Sequence, residues 1–222
     1  MVRMVNSTVV QIIQDVDLQC LIRNNHITKL QSGCRGQAAP PFKCVVMWTP
    51  ALGREEEKMD SICIKLAETD EELCGRGYVH CTAWKEAYRG IVCDRYLDSM
   101  TVEATTARAR QFPENTLVAK DKEKVVGFAV FGPSRDEDLT NAGEVVAIYV
   151  LSDYYDRKIG YRLMNEAFSR LGEYDTIVVW VLEKNERAIR FYHKYGFEFD
   201  GCKKQWNLGT PVSIVRMIKK RK

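Results

Sequence analysis

A nearly continuous apolar run, TIVVWVL at residues 176–182, is the strongest constraint on the fold of this chain. Such a run is typical of a β-strand covered on both faces, because a strand with one face in water alternates apolar and polar residues. The flanking segment 159–174 carries apolar residues along one helical face, and segment 185–196 reads as a helix ended by Gly196. The run therefore indicates a buried strand between two helices.

The pattern becomes regular from Met59 onward. Residues 61–67 alternate like a half-buried strand, and the helix predicted over 69–88 opens with a capping box formed by Thr69 and Glu72. The other predicted elements are one or two helices within 94–112, a hairpin of 115–121 and 124–132, a strand at 143–151, and closing strands at 197–208 and 211–220. This order predicts a mixed α/β domain with three layers over residues 59–222.

Residues 1–58 show no sustained period. The stretch QSGCRGQAAPPFK breaks any regular pattern, and GREEEKMD is a charged, linker-like run. We expect a poorly ordered N-terminal extension over 1–58, with Met59 as the start of the domain.

Composition argues against several classes of protein. A formal net charge of +3 gives no strong electrostatic case for a nucleic-acid or membrane partner, and the basic C-terminal RMIKKRK reads as a solvated tail. The eight cysteines include no CxxC pair and the three histidines are far apart, so no metal is expected. Without a secretory signal or a spanning apolar run of about 18 residues, we expect a soluble cytoplasmic protein.

The seam between the strand at 143–151 and the next helix, DRKIGYR, combines a glycine with several cations. The first turn of a helix presents unpaired N–H groups and the positive end of its dipole, which suit an anion. Gly160 leaves the backbone uncovered, and Arg157, Lys158 and Arg162 add positive charge. The seam therefore suits a diphosphate; the alternative is an ordinary turn with a solvated basic face.

Two stretches, AIYVLSDYYDRKIGYRLM and NERAIRFYHKYGFEFDG, together resemble the GNAT superfamily of N-acetyltransferases. The resemblance implies a mostly antiparallel twisted sheet with one splayed parallel strand pair and helices on both faces. The phosphate loop of the family, Q/R-x-x-G-x-G/A, falls on residues 155–160. Tyr155 replaces its Gln or Arg and Lys158 its first glycine, but the loop binds coenzyme A through amides, so binding should survive.

The resemblance also implies an activity and a site. The expected reaction is acetyl transfer from acetyl-CoA directly to a primary amine of a small molecule or protein. Tyr192 matches the tyrosine that protonates the departing thiolate, and Glu144 is the candidate base. The residues expected to hold the co-substrate are Ile148, Tyr149, Val150, Arg157, Lys158, Ile159, Gly160, Tyr161, Arg162 and Asn185.

Each assignment has a structural alternative. Tyr192 could be a core residue, Glu144 an exposed charge at a strand end, and Asn185 a helix N-cap that also binds the cofactor. His80, Trp84 and Tyr88, one helical turn apart in succession, line either the acceptor pocket or the core.

Alternatives also remain for the whole protein. They are a non-catalytic acyl-CoA sensor with the same fold and an interaction domain that recruits a partner through residues 1–58. The sequence identifies no acceptor and leaves open whether the chain forms a homodimer.

Overall fold

A computed structural model describes residues 61–221 of the chain. The N-terminal extension predicted over 1–58 lies outside the described residues, and the domain start at Met59 stays a prediction. The strands are β1 (Ile62–Leu66), β2 (Thr116–Asp121), β3 (Lys124–Pro133), β4 (Ala142–Val150), β5 (Thr176–Leu182), β6 (Glu198–Asn207) and β7 (Pro211–Lys220). The helices are α1 (Asp70–Tyr88), α2 (Asp94–Ser99), α3 (Val102–Gln111), α4 (Ile159–Arg170) and α5 (Glu186–Tyr195), with a 3-10 turn at Ser152–Tyr154.

All seven strands join one sheet in the order β1-β2-β3-β4-β5-β7-β6. Every neighbouring pair is antiparallel except β4 and β5, which run parallel. Strand β5 therefore lies inside the sheet, as its continuous apolar sequence predicted. The mixed fold and the mostly antiparallel sheet with one parallel pair are confirmed.

Helices cover both faces of the sheet. Residues of α4 and α5, including Leu163 and Tyr192, share one buried cluster with β1 to β5 and β7, and we call this side the α5 face. Val79 and Ala83 of α1 pack with β2 and β3 on the opposite side, the α1 face. The predicted three-layer arrangement is confirmed. Within residues 61–221 no helix is both long and apolar enough to cross a membrane.

The predicted capping box opens α1. Glu72 N–H donates to Thr69 Oγ1 at 3.3 Å, and Thr69 N–H donates to the Glu72 carboxylate at 3.4 Å. The Glu72 side chain is only 4% exposed and pairs with Lys65 at 3.1 Å and Lys120 at 3.4 Å. Burial opposes ionisation, but hydrogen bonds from the Glu68 amide and from Lys65 prevail and lower the pKa of Glu72 to about 2.

Gly75 and Gly77 have low helix propensity, but α1 continues through both. Their lack of a side chain allows α1 to pack closely against its neighbours. A Cβ on Gly77 would lie 2.3 Å from Thr106 Oγ1 and 2.5 Å from Thr106 Cα. A Cβ on Gly75 would lie 2.5 Å from a methyl group of Val125. The backbone of α1 thus approaches α3 and β3 at distances that no other residue permits.

One helix ends several residues before its predicted end, and the segment predicted as one or two helices forms two. The helix predicted over 159–174 ends at Arg170, because a turn containing Gly172 follows it. The segment 94–112 divides into α2 and α3, since Thr101 caps the second helix by accepting from Ala104 N–H at 3.2 Å.

Candidate functional site

A cleft opens where β4 and β5 separate. The two strands pair only from Ala142 with Thr176 to Glu144 with Val178. Beyond this point β4 pairs with β3 alone and β5 with β7 alone. Among residues 61–221, the β4 edge over residues 145–150 therefore has no strand partner on its β5 side. Its amides and carbonyls can pair with an extended ligand as a strand would.

A β-bulge lies at the point of separation. Val130 faces Ala147 and Phe131 faces Val145, so Val146 is an extra residue on β4. A bulge increases local twist and re-aims the backbone, and this one turns β4 away from β5. Of the residues predicted to lie along a ligand, Ile148 and Val150 pack on the α5 face and Tyr149 points to the α1 face.

The phosphate-loop candidate leads into the start of α4. Asp156 and Lys158 have positive backbone φ angles of 65° and 57°, which residues other than glycine rarely adopt. Lys158 is the N-cap and makes no side-chain cap, and the first turn of α4 contains no acid. By contrast, α1, α3 and α5 each have a side-chain cap and an acid in the first turn. The amides at the start of α4 therefore suit an anionic ligand.

The side chains around this loop are placed in different ways. Ile159 is buried in the core, and Tyr161 is 51% exposed with its ring 5.3 Å from that of Tyr195. Arg157 pairs with Asp121 at 3.2 Å, and Arg162 donates to the Ile62 carbonyl at 2.7 Å. Their side chains are thus already engaged, which favours binding by the loop amides.

Gly160 differs from its expected role. A Cβ there would point to Phe191 and Val150, at 3.8 and 4.0 Å, in ordinary contact. A side chain at position 160 would therefore point toward α5 and β4. The direction of this Cβ does not support the expectation that glycine is needed here for the close approach of a ligand.

Three phenol side chains converge on the cleft. Tyr88 of α1 and Tyr149 of β4 hydrogen-bond through their hydroxyl groups at 3.0 Å. Tyr192 reaches from α5 and is 7% exposed, and no residue within 61–221 hydrogen-bonds its hydroxyl. Burial, with the nearby Tyr88, raises the pKa of Tyr192 well above 10.0, and burial raises the pKa of Tyr149 to about 12. Burial also raises the pKa of Tyr88, so each of the three phenols keeps its proton at neutral pH.

The three aromatic residues predicted for the acceptor pocket lie together beside Tyr149. The His80 ring stacks on Tyr149 with centroids 5.8 Å apart, and Trp84 meets Tyr88 edge-on at 5.0 Å. The imidazole keeps some accessible surface, but burial of the ring by its aromatic neighbours, with nearby Arg76, lowers the pKa of His80 to about 3. The buried Trp84 indole N–H lies beside the Tyr149 hydroxyl and interacts with it, although the contact falls outside ordinary hydrogen-bond geometry.

Asn185 serves as the N-cap of α5. Its side-chain oxygen accepts a hydrogen bond from Ala188 N–H at 3.1 Å. This confirms the capping role that the sequence predicted, and it holds the amide group at the β5 end of the cleft.

A parallel strand pair that separates around a buried phenol, beside an uncapped helix start, is the arrangement that the sequence resemblance implied. The sequence profile of the acetyltransferase (GNAT) family matches residues 81–197. The chain belongs to this family. It is accordingly an acyltransferase.

Several GNAT proteins are similar to it. The chain is 32% identical over 154 residues to the uncharacterized N-acetyltransferase YuaI of Bacillus subtilis, covering 64% of this chain and 88% of that protein. It is 27% identical over 143 residues to the probable N-acetyltransferase Rv2775 of Mycobacterium tuberculosis, covering 61% and 80%. The solved PaiA N-acetyltransferase of Thermoplasma acidophilum, in complex with coenzyme A, shares the fold with a TM-score of 0.55 at 22% identity, covering 72% and 99%.

Glu144, the candidate base in this GNAT domain, is the last residue of β4 that pairs with β5. It is 1% exposed, so the alternative of an exposed strand-end charge is wrong. Both carboxylate oxygens accept hydrogen bonds from the Arg135 side chain, one of them at 3.0 Å. Arg135 was missed by sequence reasoning, since nothing in the SRDEDLT loop marks its partner.

A second buried charged group on the same loop was also missed. Asp136 accepts from the Trp180 indole N–H at 2.9 Å and pairs with Lys204 at 2.7 Å and Arg216 at 3.3 Å. Trp180 lies two residues beyond Val178, so this group forms the β5 wall of the GNAT cleft on the α1 face. Its members come from four separate segments, and no local pattern joins them.

Proposed function

We propose that the protein transfers the acetyl group of acetyl-CoA directly to a primary amine of a small molecule or a protein. The pantetheine arm would lie along the unpaired β4 edge, against Ile148, Tyr149 and Val150. The diphosphate would meet the amides of residues 158–161 at the start of α4, since the Arg162 amide already donates to the Lys158 carbonyl at 3.0 Å. The amide group of Asn185 would contact the arm from the β5 side.

The Tyr192 hydroxyl is the observation that carries this proposal. It is a buried, protonated donor that no described residue hydrogen-bonds, and it lies where the strands separate. Attack of the neutral amine on the thioester carbonyl forms the C–N bond and breaks the C–S bond. Tyr192 gives its proton to the departing thiolate, and the proton that the nitrogen loses as the amide forms restores the phenol through solvent. A backbone N–H of the splayed β4 stabilises the oxyanion.

The amine must lose a proton before attack, because an alkyl ammonium has a pKa of about 10.4. Glu144 remains the candidate base. Each carboxylate oxygen has two lone pairs, and Oε1 accepts one hydrogen bond from Arg135, which leaves a position for a water that relays the proton. Because the pKa of His80 is lowered to about 3, its imidazole is neutral near pH 7. His80 would therefore shape the acceptor pocket without changing its charge.

Trp84 and Tyr88 would line the acceptor pocket with His80, on the α1 face of the cleft. The Trp84 indole N–H is directed to the Tyr149 hydroxyl, so Trp84 would contribute mainly its ring to this pocket. The cytoplasmic location stays a prediction, and so does the possibility of a homodimer.

A panel of amines tests the reaction. The full chain is incubated with acetyl-CoA and peptide α-amines, lysine peptides, polyamines, aminoglycosides or amino acids, and mass spectrometry follows both the amine and the intact protein. Direct transfer predicts an acetylated amine and a protein of unchanged mass. A stable acetyl group on the protein that an amine then removes would contradict direct transfer, and no acetylated amine in any class would favour the non-catalytic sensor.

A further inference from the structure

An arginine and a tyrosine stack across the mouth of the cleft. The Arg187 guanidinium lies 3.4 Å from the centroid of the Tyr155 ring. Tyr155 is partly buried and lies three residues before the N-cap of α4, and Arg187 lies in the first turn of α5. No acid within residues 61–221 pairs with Arg187. A guanidinium that stacks through its face keeps its N–H groups, which lie around its edge, available to a ligand.

The packing of α4 on α5 places this guanidinium beside the start of α4. Phe191 lies four residues after Arg187, so both side chains project from the same face of α5. The Phe191 ring lies 3.8 Å from the Cβ position of Gly160, in the first turn of α4. Arg187, one turn nearer the start of α5, is therefore next to the loop that leads into the uncapped amides.

The other cations of this region are engaged elsewhere. Arg157 pairs with Asp121, and Arg162 donates to the Ile62 carbonyl. Lys158 is exposed, but its charge stands at the end of a flexible stem. Arg157 also lies over an aromatic ring, that of Tyr154 at 5.2 Å, but it is paired with Asp121. Arg187 lies closer to its ring, at 3.4 Å, and pairs with no acid among the described residues. The N–H groups of a guanidinium form a fork that matches phosphate oxygens.

We propose that Arg187, positioned by the Tyr155 ring, binds the diphosphate of the coenzyme from the α5 side, opposite the amides of α4. The inference rests on the proposed function, since it needs a coenzyme in the cleft. It assigns recognition of the coenzyme to α5 as well as to the loop, and it gives Tyr155 a positioning role.

Calorimetric titration of the full chain with coenzyme A and with dephospho-coenzyme A, which keeps the diphosphate and lacks the 3′-phosphate, tests this. Arg187→Ala should raise Kd for both ligands about tenfold, through loss of charge-assisted hydrogen bonds. Arg190→Ala is the matched control, because Arg190 is an exposed arginine of the same helix that pairs with Glu186 at 3.1 Å; its Kd should change less than twofold. Tyr155→Leu should weaken binding severalfold, with little further loss when combined with Arg187→Ala.

The outcomes separate the two hypotheses. If the folded wild-type chain binds neither ligand, the proposed function fails. If it binds both and Arg187→Ala matches Arg190→Ala, the proposed function stands and the role of Arg187 is refuted. A loss confined to coenzyme A would assign Arg187 to the 3′-phosphate and overturn the diphosphate contact, and an unchanged Kd in Tyr155→Leu would overturn the positioning role.

Discussion

Replacing Tyr192 by phenylalanine separates the catalytic and structural uses of one buried side chain. The substitution removes one oxygen and keeps the ring between Phe191 and Phe197, whose centroids lie 5.4 and 5.8 Å away. The hydroxyl loses no hydrogen bond to residues 61–221, so the free energy of unfolding should change by less than about 0.5 kcal/mol. Loss of a general acid should lower kcat about 100- to 1,000-fold, which corresponds to about 3 to 4 kcal/mol in the barrier.

Tyr195→Phe provides the comparison on the same helix. The Tyr195 hydroxyl donates to Asn165 Oδ1 at 2.6 Å, so its removal should cost about 1 kcal/mol of stability and leave kcat unchanged. Urea unfolding and the rate of coenzyme A release with the best amine of the panel measure the two quantities. The reasoning is refuted if Tyr192→Phe keeps kcat within about threefold of wild type, or if it loses more than about 1.5 kcal/mol of stability.

Three further predictions concern stability and pH. The pKa of Glu72 is lowered to about 2 from 4.5, so its contribution to the free energy of unfolding is complete above about pH 4.5 and is lost as pH falls toward 2. Glu72→Gln should therefore cost roughly 3 kcal/mol at pH 7 and flatten the pH dependence of the urea midpoint between pH 2 and 4.5. An unchanged slope would contradict this. Gly77→Ala should cost about 2 to 3 kcal/mol, because its Cβ would lie 2.5 Å from the backbone Cα of Thr106. Gly90→Ala, with no atom within 4 Å but a φ of 77°, should cost only about 1 kcal/mol. Equal values in urea unfolding would refute the packing argument. Since the pKa of His80 is about 3, His80→Gln should leave the pH profile of kcat/KM between 5 and 8 unchanged in shape, and the disappearance of an inflection near 6.5 would show that the imidazole titrates.

Local patterns predicted most of the fold because they act within one element. The capping box at Thr69 fixed the start of α1, the apolar run at 176–182 marked the central strand, and Gly196, with a φ of 93°, ended α5 as expected. The end of α4 was misplaced because apolar spacing continues through Leu171 while the backbone turns at Gly172.

Sequence reasoning reached residues of the candidate site that share a contiguous motif, or one helix face as His80, Trp84 and Tyr88 do. Tyr192 and Asn185 belong to such a motif. The hydrogen bond between Tyr88 and Tyr149 joins residues 61 positions apart, and no local pattern links them. Arg135, the partner of Glu144, lies in a loop outside every motif of the sequence. Its hydrogen bonds to the candidate base could therefore be found only in the folded structure.

Titration of the full chain with acetyl-CoA tests the central claim, that the cleft and the start of α4 bind this co-substrate, most directly. Lys158→Glu places a negative charge at the N-cap of α4, Lys158→Gly suits the φ of 57° there, and Lys194→Glu makes the same charge reversal in the last turn of α5. The account predicts one bound acetyl-CoA per chain, affinity reduced about tenfold or more in Lys158→Glu, and affinity within about threefold of wild type in Lys158→Gly and Lys194→Glu. A folded protein that binds no acetyl-CoA, or equal affinity in both charge-reversal variants, would contradict it.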